Sequence, residues 1–521
     1  GAQFESTCQC KFANNYPHAF GPRLGAAYQL NDRTVLRGGI GVVYNATATA
    51  SGSQANTAQT SAVPANSGQT VGLLVNGIPG TVQPKWPSFD SGVGHPVGGV
   101  IGMPTMLDVN AGRPARLLQW SVSLQRELNR NLVIEASWVA NRGNWWTAAG
   151  LAPLNSISEA TLAKYGFTNY TSAEESAMIT STIAGLTTAR RSVLASRGVV
   201  LPYSGFPTTQ TVRQSLRDYP QYNSSGLAGA PLGSTWYDSL QLNATQRFSH
   251  GLSANVNYNF SKNLDLMSSP DVFNRQLGRN ISGNDLPHQL RINLQYVVPQ
   301  LRNTGLSMFS NGFVSYLFSD WGLGASLSYQ SAPIVPRPSS NGSLPINNFL
   351  GRGPGGAQLK TNADGSYMNP WSVDWVDNDG KQRTDPIDIN CGCFDPTKNV
   401  VLNPAAWENI PNGQWGAQQN TLRFFRGIRL PNESANFSRN FRIKERVNLN
   451  VRVEFTNIFN RMLLTAGPAS TLVTAGNFAN APTKFTSGQN VGLYSGGFGT
   501  FNVVGGLTGQ RAGSFVARLS F

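Results

Sequence analysis

The most reactive side chains in this 521-residue sequence are four cysteines, and they come as two close pairs, Cys8 with Cys10 and Cys391 with Cys393. In an oxidising envelope such thiols are expected as disulfides. A bridge inside a C-x-C segment closes a small ring, so a cross-link between the two pairs is equally open, and four thiolates would also suit a metal. A second concentration of chemistry is DWVDNDGKQRTDPID, which carries Asp374, Asp377, Asp379, Asp385 and Asp388. Calcium favours oxygen-rich, glycine-turned segments, but the EF-hand register fails here. With Gly380 as the turn glycine, the first ligand position is Trp375 and the last is Pro386. An acidic, solvated loop is the simpler reading. His18, His95, His250 and His288 are scattered, with no paired spacing. No nucleophile elbow, P-loop or dinucleotide fingerprint stands between a strand and a helix, so no catalytic residue, cofactor or metal site is expected and the chain is not read as an enzyme.

The elements that would position these residues read as strands. LLQWSVSLQREL sets Leu118, Trp120, Val122 and Leu124 against Gln119, Ser121, Ser123 and Gln125. After a polar turn the chain resumes as LVIEASWVA, again with period two, which makes a hairpin. WYDSLQLNATQRF and LSANVNYNF form a second hairpin around Ser249-His250-Gly251. Further members are RLGAAYQL, TVLRGGIGVVY, HQLRINLQYVV, DWGLGASLSYQ, ESANFSRNF, VNLNVRVEF and the closing SFVARLSF. Strict alternation means that one face of each strand meets something apolar and the other meets water. Within one long connection, Ser156 with Glu159 and Ser172 with Glu175 read as capping boxes that open helical segments through Leu162 and through Ile179 to Leu194.

About eleven strands result, and their connections alternate short and long without exception. In an up-and-down antiparallel sheet this puts all the long connections at one end. That is the asymmetry of a transmembrane β-barrel with short periplasmic turns and long extracellular loops. Aromatics gathered towards strand ends suit interfacial girdles. The fold class is therefore all-β. An odd strand number whose last strand ends in the periplasm implies a first strand entered from outside. Residues 1–521 are expected to be the C-terminal part of one barrel of about twenty-two strands, with the N-terminal plug and earlier strands absent.

Composition agrees. Fifty-five glycines and only 13% charged residues suit strands and turns over helices. No apolar run reaches the eighteen residues or so of a helical span. The net charge of +14 suits an anionic partner. The basic residues are scattered without a zinc-finger, RNP or basic-helix pattern, which points to the lipopolysaccharide face of an outer membrane and away from nucleic acid.

Several stretches resemble the Oar-like TonB-dependent receptors of Acidobacteria type. They are FGPRLGAAY with TVLRGGIGVVY, QWSVSLQREL with NLVIEASWVANRG, LRDYPQY with STWYDSLQLNATQRFSHGLSANVNYNFSKNLD, LPHQLRINLQYVVP, LNPAAW, NFRIKERVNLNVRVEFTNIFNR and ARLSF. The resemblance implies location in the outer membrane of a Gram-negative, diderm bacterium. It also implies uptake of a substrate of unknown identity, energised by a periplasmic coupling protein through a plug upstream of Gly1. A surface adhesion protein without transport and a passive porin are the alternatives. In the last strand, Phe515, Ala517, Leu519 and Phe521 are expected to face lipid. The resemblance further implies that this aromatic-ended strand is read by the barrel-assembly machinery.

Overall fold

The computed structural model describes residues 13–45, 106–168, 172–223, 225–269, 273–299, 312–338, 357–396, 399–408, 421–444, 447–461, 463–464, 499, 507–508 and 511–521. Eleven strands form the path of one sheet, to which the two-residue strand Asn280–Ile281 adds off the path by pairing with Leu264 and Asp265. The eleven are β1 Arg23–Asn31, β2 Thr34–Tyr44, β3 Arg116–Asn129, β4 Leu132–Thr147, β5 Pro231–Ser249, β6 Leu252–Leu266, β7 His288–Val297, β8 Gly322–Gln330, β9 Asn432–Lys444, β10 Val447–Thr456 and β11 Ala512–Ser520. Each pairs antiparallel with the next, so the order is up-and-down throughout. Among the described residues β1 and β11 have no second neighbour, and the sheet is not closed.

Side chains alternate across a strand, so register decides which residues share a face. Ile134, Ala136 and Trp138 of β4 stand opposite Ala244, Leu242 and Leu240 of β5. Those face Val256, Tyr258 and Phe260 of β6, which face Ile292, Leu290 and His288 of β7. The row continues through Leu327, Ala325 and Leu323 of β8, then Ala435 and Phe437 of β9, to Phe455 and Val453 of β10. It is apolar yet uncovered: Leu242 is 39%, Trp138 44% and Phe260 46% exposed. A water-soluble sheet would bury this face.

The apolar band has an upper border. On β5, Asp238 stands opposite Ala140 of β4 and Lys262 of β6. Arg142, one repeat above Ala140 on the same face, holds Asp238 at 2.8 Å. From Leu252 at the short turn to Lys262 is about 33 Å along β6 at ~3.3 Å per residue, or about 25 Å of height at a tilt of ~40°. That equals the apolar band of an outer-membrane barrel. Trp120 and Trp138, edge to face at 6.0 Å, lie just beneath this border. They sit at the end of the band and not of the strands, because β3, β4 and β5 continue beyond it.

Two-residue connections join β1 to β2, β3 to β4, β5 to β6 and β9 to β10, but the expected alternation fails after β7, where 24 residues lead to β8 at the short-turn end against 21 between β6 and β7 at the other. In the two-residue turn from Ser249 to Leu252, His250 (φ 51°) and Gly251 (φ 82°) are both left-handed, the pattern of a type I′ hairpin. Gly251 is required twice over, since a Cβ there would lie 2.5 Å from the Val297 carbonyl oxygen of the neighbouring strand. The helices α1 Glu159–Lys164, α2 Ala173–Thr180, α3 Thr188–Ser196 and α4 Val212–Ser215 all belong to the long connection between β4 and β5. A fifth, α5 Gly312–Phe318, lies at the opposite, short-turn end between β7 and β8. Among the described residues no helix is long and apolar enough to cross a membrane, which says nothing of crossing by strands.

Candidate functional site: the inward wall and the extracellular loops

The face opposite the apolar row is mostly polar from β3 to β10, with Val133 and Val139 of β4 among the exceptions. Its side chains bond to one another across the strands: Asn255 Nδ2 donates to Asn243 Oδ1 and Thr245 Oγ1, both at 3.0 Å, and Ser326 Oγ donates to Asn293 Oδ1 at 2.9 Å. Arg452 pairs with Glu454 on β10. A groove of about 870 Å³ follows this wall past Asn255, Asn293, Ser326, Asn436 and Arg452. Such a surface is wettable and offers donors and acceptors in both senses.

Above the band, the 330–432 connection folds into a body with its own core. Trp407 and Phe425 are fully enclosed with ring centroids 5.4 Å apart, and Trp375, Ile387, Ile389 and Phe394 pack into the same cluster. The antiparallel pair Ile334–Pro336 and Thr421–Arg426 ties the two ends of this connection together at its base. A buried ion pair fastens it to the adjacent connection. Arg426 Nη2 lies 2.5 Å from Asp285 Oδ2, with their side chains 16% and 3% exposed, while Arg426 Nη1 donates to the Asp285 and Ala332 carbonyls.

The aspartates expected as an acidic loop are used locally. Asp377 accepts from the backbone amides of Lys381 at 2.8 Å and Asp379 at 3.1 Å and from Arg383 Nε at 2.8 Å. The Lys381 amide is the main reason its carboxyl sits below the ordinary value, with Arg383 adding to it. Asp388 Oδ1 accepts from the Asn390 amide at 2.9 Å, and Asp374 Oδ1 takes the Gln382 side chain. These carboxylates are spent on their own turns. Among the described residues no group of three His, Cys, Asp or Glu is placed to hold a metal.

Cys391 and Cys393 are joined to each other, with Cα atoms 5.1 Å apart. Cys8 and Cys10 lie outside the described residues. The 391–393 bridge lines a cavity of about 740 Å³ at the rim, between the top of β8 (Tyr329) and Asn390, Phe394, Ile428, Arg429 and Arg461. The Arg429 amide donates to Asn390 Oδ1 at 2.8 Å, and Arg461 Nε holds the enclosed Glu433 carboxylate at 2.9 Å. This mixed lining of rings, aliphatic groups and two guanidinium groups is of a size that takes a small molecule.

The helical connection is a second body. Ile157, Leu162, Phe167, Ile179, Leu194 and Val212 form its core. Ser172 caps α2 as expected, its hydroxyl accepting from the Glu175 amide. The other cap is corrected: Ser158, not Ser156, accepts from the Thr161 amide and opens α1. The segment expected to run from the Ser172 cap through Ile179 to Leu194 is two helices, because Ser181 ends α2 in extended geometry and Thr187 caps α3. Beside this body, Trp145 has φ 67° at a break in the β4 to β5 register, and the Arg113 guanidinium stacks 3.4 Å from its ring centroid with Arg116 at 4.3 Å. Neither this stack nor the Asp285–Arg426 pair, 141 residues apart in sequence, was foreseen, since nothing in a local pattern marks partners so distant.

In the last strand, Phe515, Ala517 and Leu519 stand opposite Val453, Val451 and Leu449 of β10, in the apolar row. Phe521 is 96% exposed. His250 serves the I′ turn, and His288 Nδ1 meets Tyr258 Oη at 2.7 Å in the upper aromatic border.

A sequence model of the outer membrane beta barrel domain matches residues 3–495. The chain belongs to this outer-membrane barrel family. Its place is the outer membrane of a Gram-negative bacterium, and the apolar row is the membrane face of the family's barrel. No curated protein matches the chain. Among solved structures, FpvA of Pseudomonas aeruginosa, bound to heterologous pyoverdines, is similar at 8% identity over 96% of this chain and 33% of that one, with a TM-score of 0.34. The ferric enterobactin receptor PfeA of the same organism is 11% identical over 96% and 40% of the two chains, with a TM-score of 0.33. The outer membrane transporter YddB of Escherichia coli is 9% identical over 88% and 38%, with a TM-score of 0.32. The chain thus spans a third to two fifths of the length of these structures.

Proposed function

We propose that this chain supplies wall and extracellular loops to an energised outer-membrane transporter of the TonB-dependent, Oar-like kind. The observation that carries the reading is the pairing of a polar inward wall with loop bodies that, among the described residues, have cores of their own at the end opposite the short turns. A passive pore has no use for a loop with a core of Trp407, Phe425 and Trp375 and a rim cavity lined by two arginines. A site at the mouth of a barrel is what a receptor requires before transport. The edges β1 and β11, which have no second neighbour among the described residues, support assembly into a larger barrel, since open edges are not stable in lipid. In that barrel this chain is the C-terminal part, β11 with Phe515, Ala517, Leu519 and Phe521 is the strand offered to the assembly machinery, and a plug couples the barrel to the periplasmic energy-transducing protein. The border residues Arg142 and Lys262 are placed to meet lipopolysaccharide phosphates.

Uptake by a strain lacking the gene tests this. Loss of growth on one scarce nutrient, reproduced in the wild type by an uncoupler, is expected. Uptake that is unaffected by the uncoupler would indicate a porin. Unchanged uptake with lost surface attachment would indicate an adhesin.

A further inference from the structure

The helix α5 is built inside out. A helix lying on a water-facing surface turns its apolar side inward and its polar side to solvent. In α5 the residues turned towards the sheet are Ser315 and, just past the helix end, Ser319, 5% and 3% exposed, with their hydroxyl oxygens 3.5 Å apart. Turned away from it are Phe313 at 74%, Tyr316 at 50%, Leu317 at 42% and Phe318 at 51% exposed. That order suits a helix whose outer surroundings are less polar than its inner ones.

The position of α5 supplies the reason. Phe437, Arg439 and Phe441 succeed one another on the outward face of β9, opposite Val453, Val451 and Leu449. Arg439 is therefore a cation in the lipid-facing row, where an arginine is destabilising at mid-depth and less so near an interface. It is only 3% exposed because α5 lies across it. Its guanidinium donates to the Leu317 carbonyl at the C-terminal end of the helix, where the helix dipole favours a cation. It also stacks 4.9 Å from the Tyr316 ring and 4.5 Å from the Phe441 ring. Trp321 Nε1 donates to the same Leu317 carbonyl at 2.9 Å, and Trp321 and Tyr316 both approach Phe441.

We infer that α5 is an in-plane membrane anchor, seated among the phospholipids of the periplasmic leaflet with Phe313, Tyr316, Leu317 and Phe318 in the acyl region and latched to the barrel by Arg439. The occupant is lipid, because the exposed face of α5 continues the apolar row of the family's membrane surface at its short-turn end. The inference rests on that row facing lipid.

The test places an environment-sensitive thiol probe at Phe313→Cys or Leu317→Cys in the full-length protein in outer-membrane vesicles, native disulfides intact. Leu242→Cys is the mid-band control and Asp379→Cys the aqueous one. Quenching at 313 and 317 by lipid-borne nitroxide, with aqueous iodide quenching at least threefold weaker than at 379, is expected. In Arg439→Gln the probe at 313 should move towards the aqueous value. Iodide quenching at 313 and 317 equal to that at 379 overturns the inference, and so does protection from both quenchers, which would mean a protein partner. If Leu242→Cys is itself aqueous, the barrel reading falls, and that outcome is distinguishable from failure of the anchor alone.

Discussion

Replacing Asp285 by Asn removes the carboxylate that holds Arg426 at the junction of two extracellular connections. Both side chains are enclosed, at 3% and 16% exposure, and Asp285 Oδ1 also accepts the Asn263 amide of β6 at 2.7 Å. Breaking one partner of a buried pair strands the other charge in a poorly solvated place and costs about 3–5 kcal/mol. The exposed pair Arg142–Asp238, with side chains 33% and 43% exposed, is a built-in control, worth about 0–1 kcal/mol. The cost should fall on local opening and not on the membrane sheet, because Arg426 ends the small pair Ile334–Pro336 with Thr421–Arg426. Hydrogen exchange of the amides of Ile334 and Val335 and of residues 421–426 in the folded full-length protein reads it directly. Asp285→Asn should accelerate them on the order of 10²- to 10³-fold, at about 1.4 kcal/mol per decade, while Asp238→Asn leaves them within about threefold. Acceleration no greater than in the control would refute the claim that this pair clamps the loop body to the rim.

Three further outcomes follow from the same geometry. Non-reducing tryptic mapping should return the peptide from Thr384 to Lys398 two hydrogens lighter than its reduced mass and joined to no other peptide, because Cys391 and Cys393 bridge each other; a cross-linked species would contradict the pairing. Asp377 has a carboxyl depressed by its amide and guanidinium donors, so its contribution to the loop is fully present above the ordinary carboxylate value and lost as pH falls through the folded value. Fluorescence of the neighbouring Trp375 should therefore report loop opening only below about pH 4, and Asp377→Asn should flatten that dependence. Gly251→Ala forces a Cβ against the Val297 carbonyl in a left-handed position and should cost about 1–3 kcal/mol, seen as a weaker heat-modifiable band; a band of wild-type strength would sink the steric argument.

The strands were legible because period-two alternation survives wherever one face meets lipid and the other water. For that reason β2 runs from Thr34 to Tyr44 and β6 begins at Leu252 as the pattern alone predicts. Legibility failed where the two faces stop differing. β4 continues to Thr147 and β5 starts back at Pro231, above the Arg142–Asp238 border, where both faces meet protein and the alternation ends. The loop bodies were invisible for a related reason. Trp375, Trp407 and Phe425 come from three separate stretches, and no local period joins them. The helix α5 escaped notice because its serines face inward, so its pattern imitates a polar turn with stray aromatics. The resemblance to a receptor family suggested a role for the chain as a whole, but only register placed Arg439 in the apolar row and under that helix.

The central claim is that one face of this sheet meets lipid and the other an aqueous interior. A cysteine scan along β5 from residue 239 to 245 in intact outer membranes tests it most directly. Labels at Leu240, Leu242 and Ala244 should be reached by lipid-borne quencher and shielded from iodide, and those at Gln241, Asn243 and Thr245 the reverse, with a period of two. Uniform aqueous access, or an alternation of opposite sense, would contradict it.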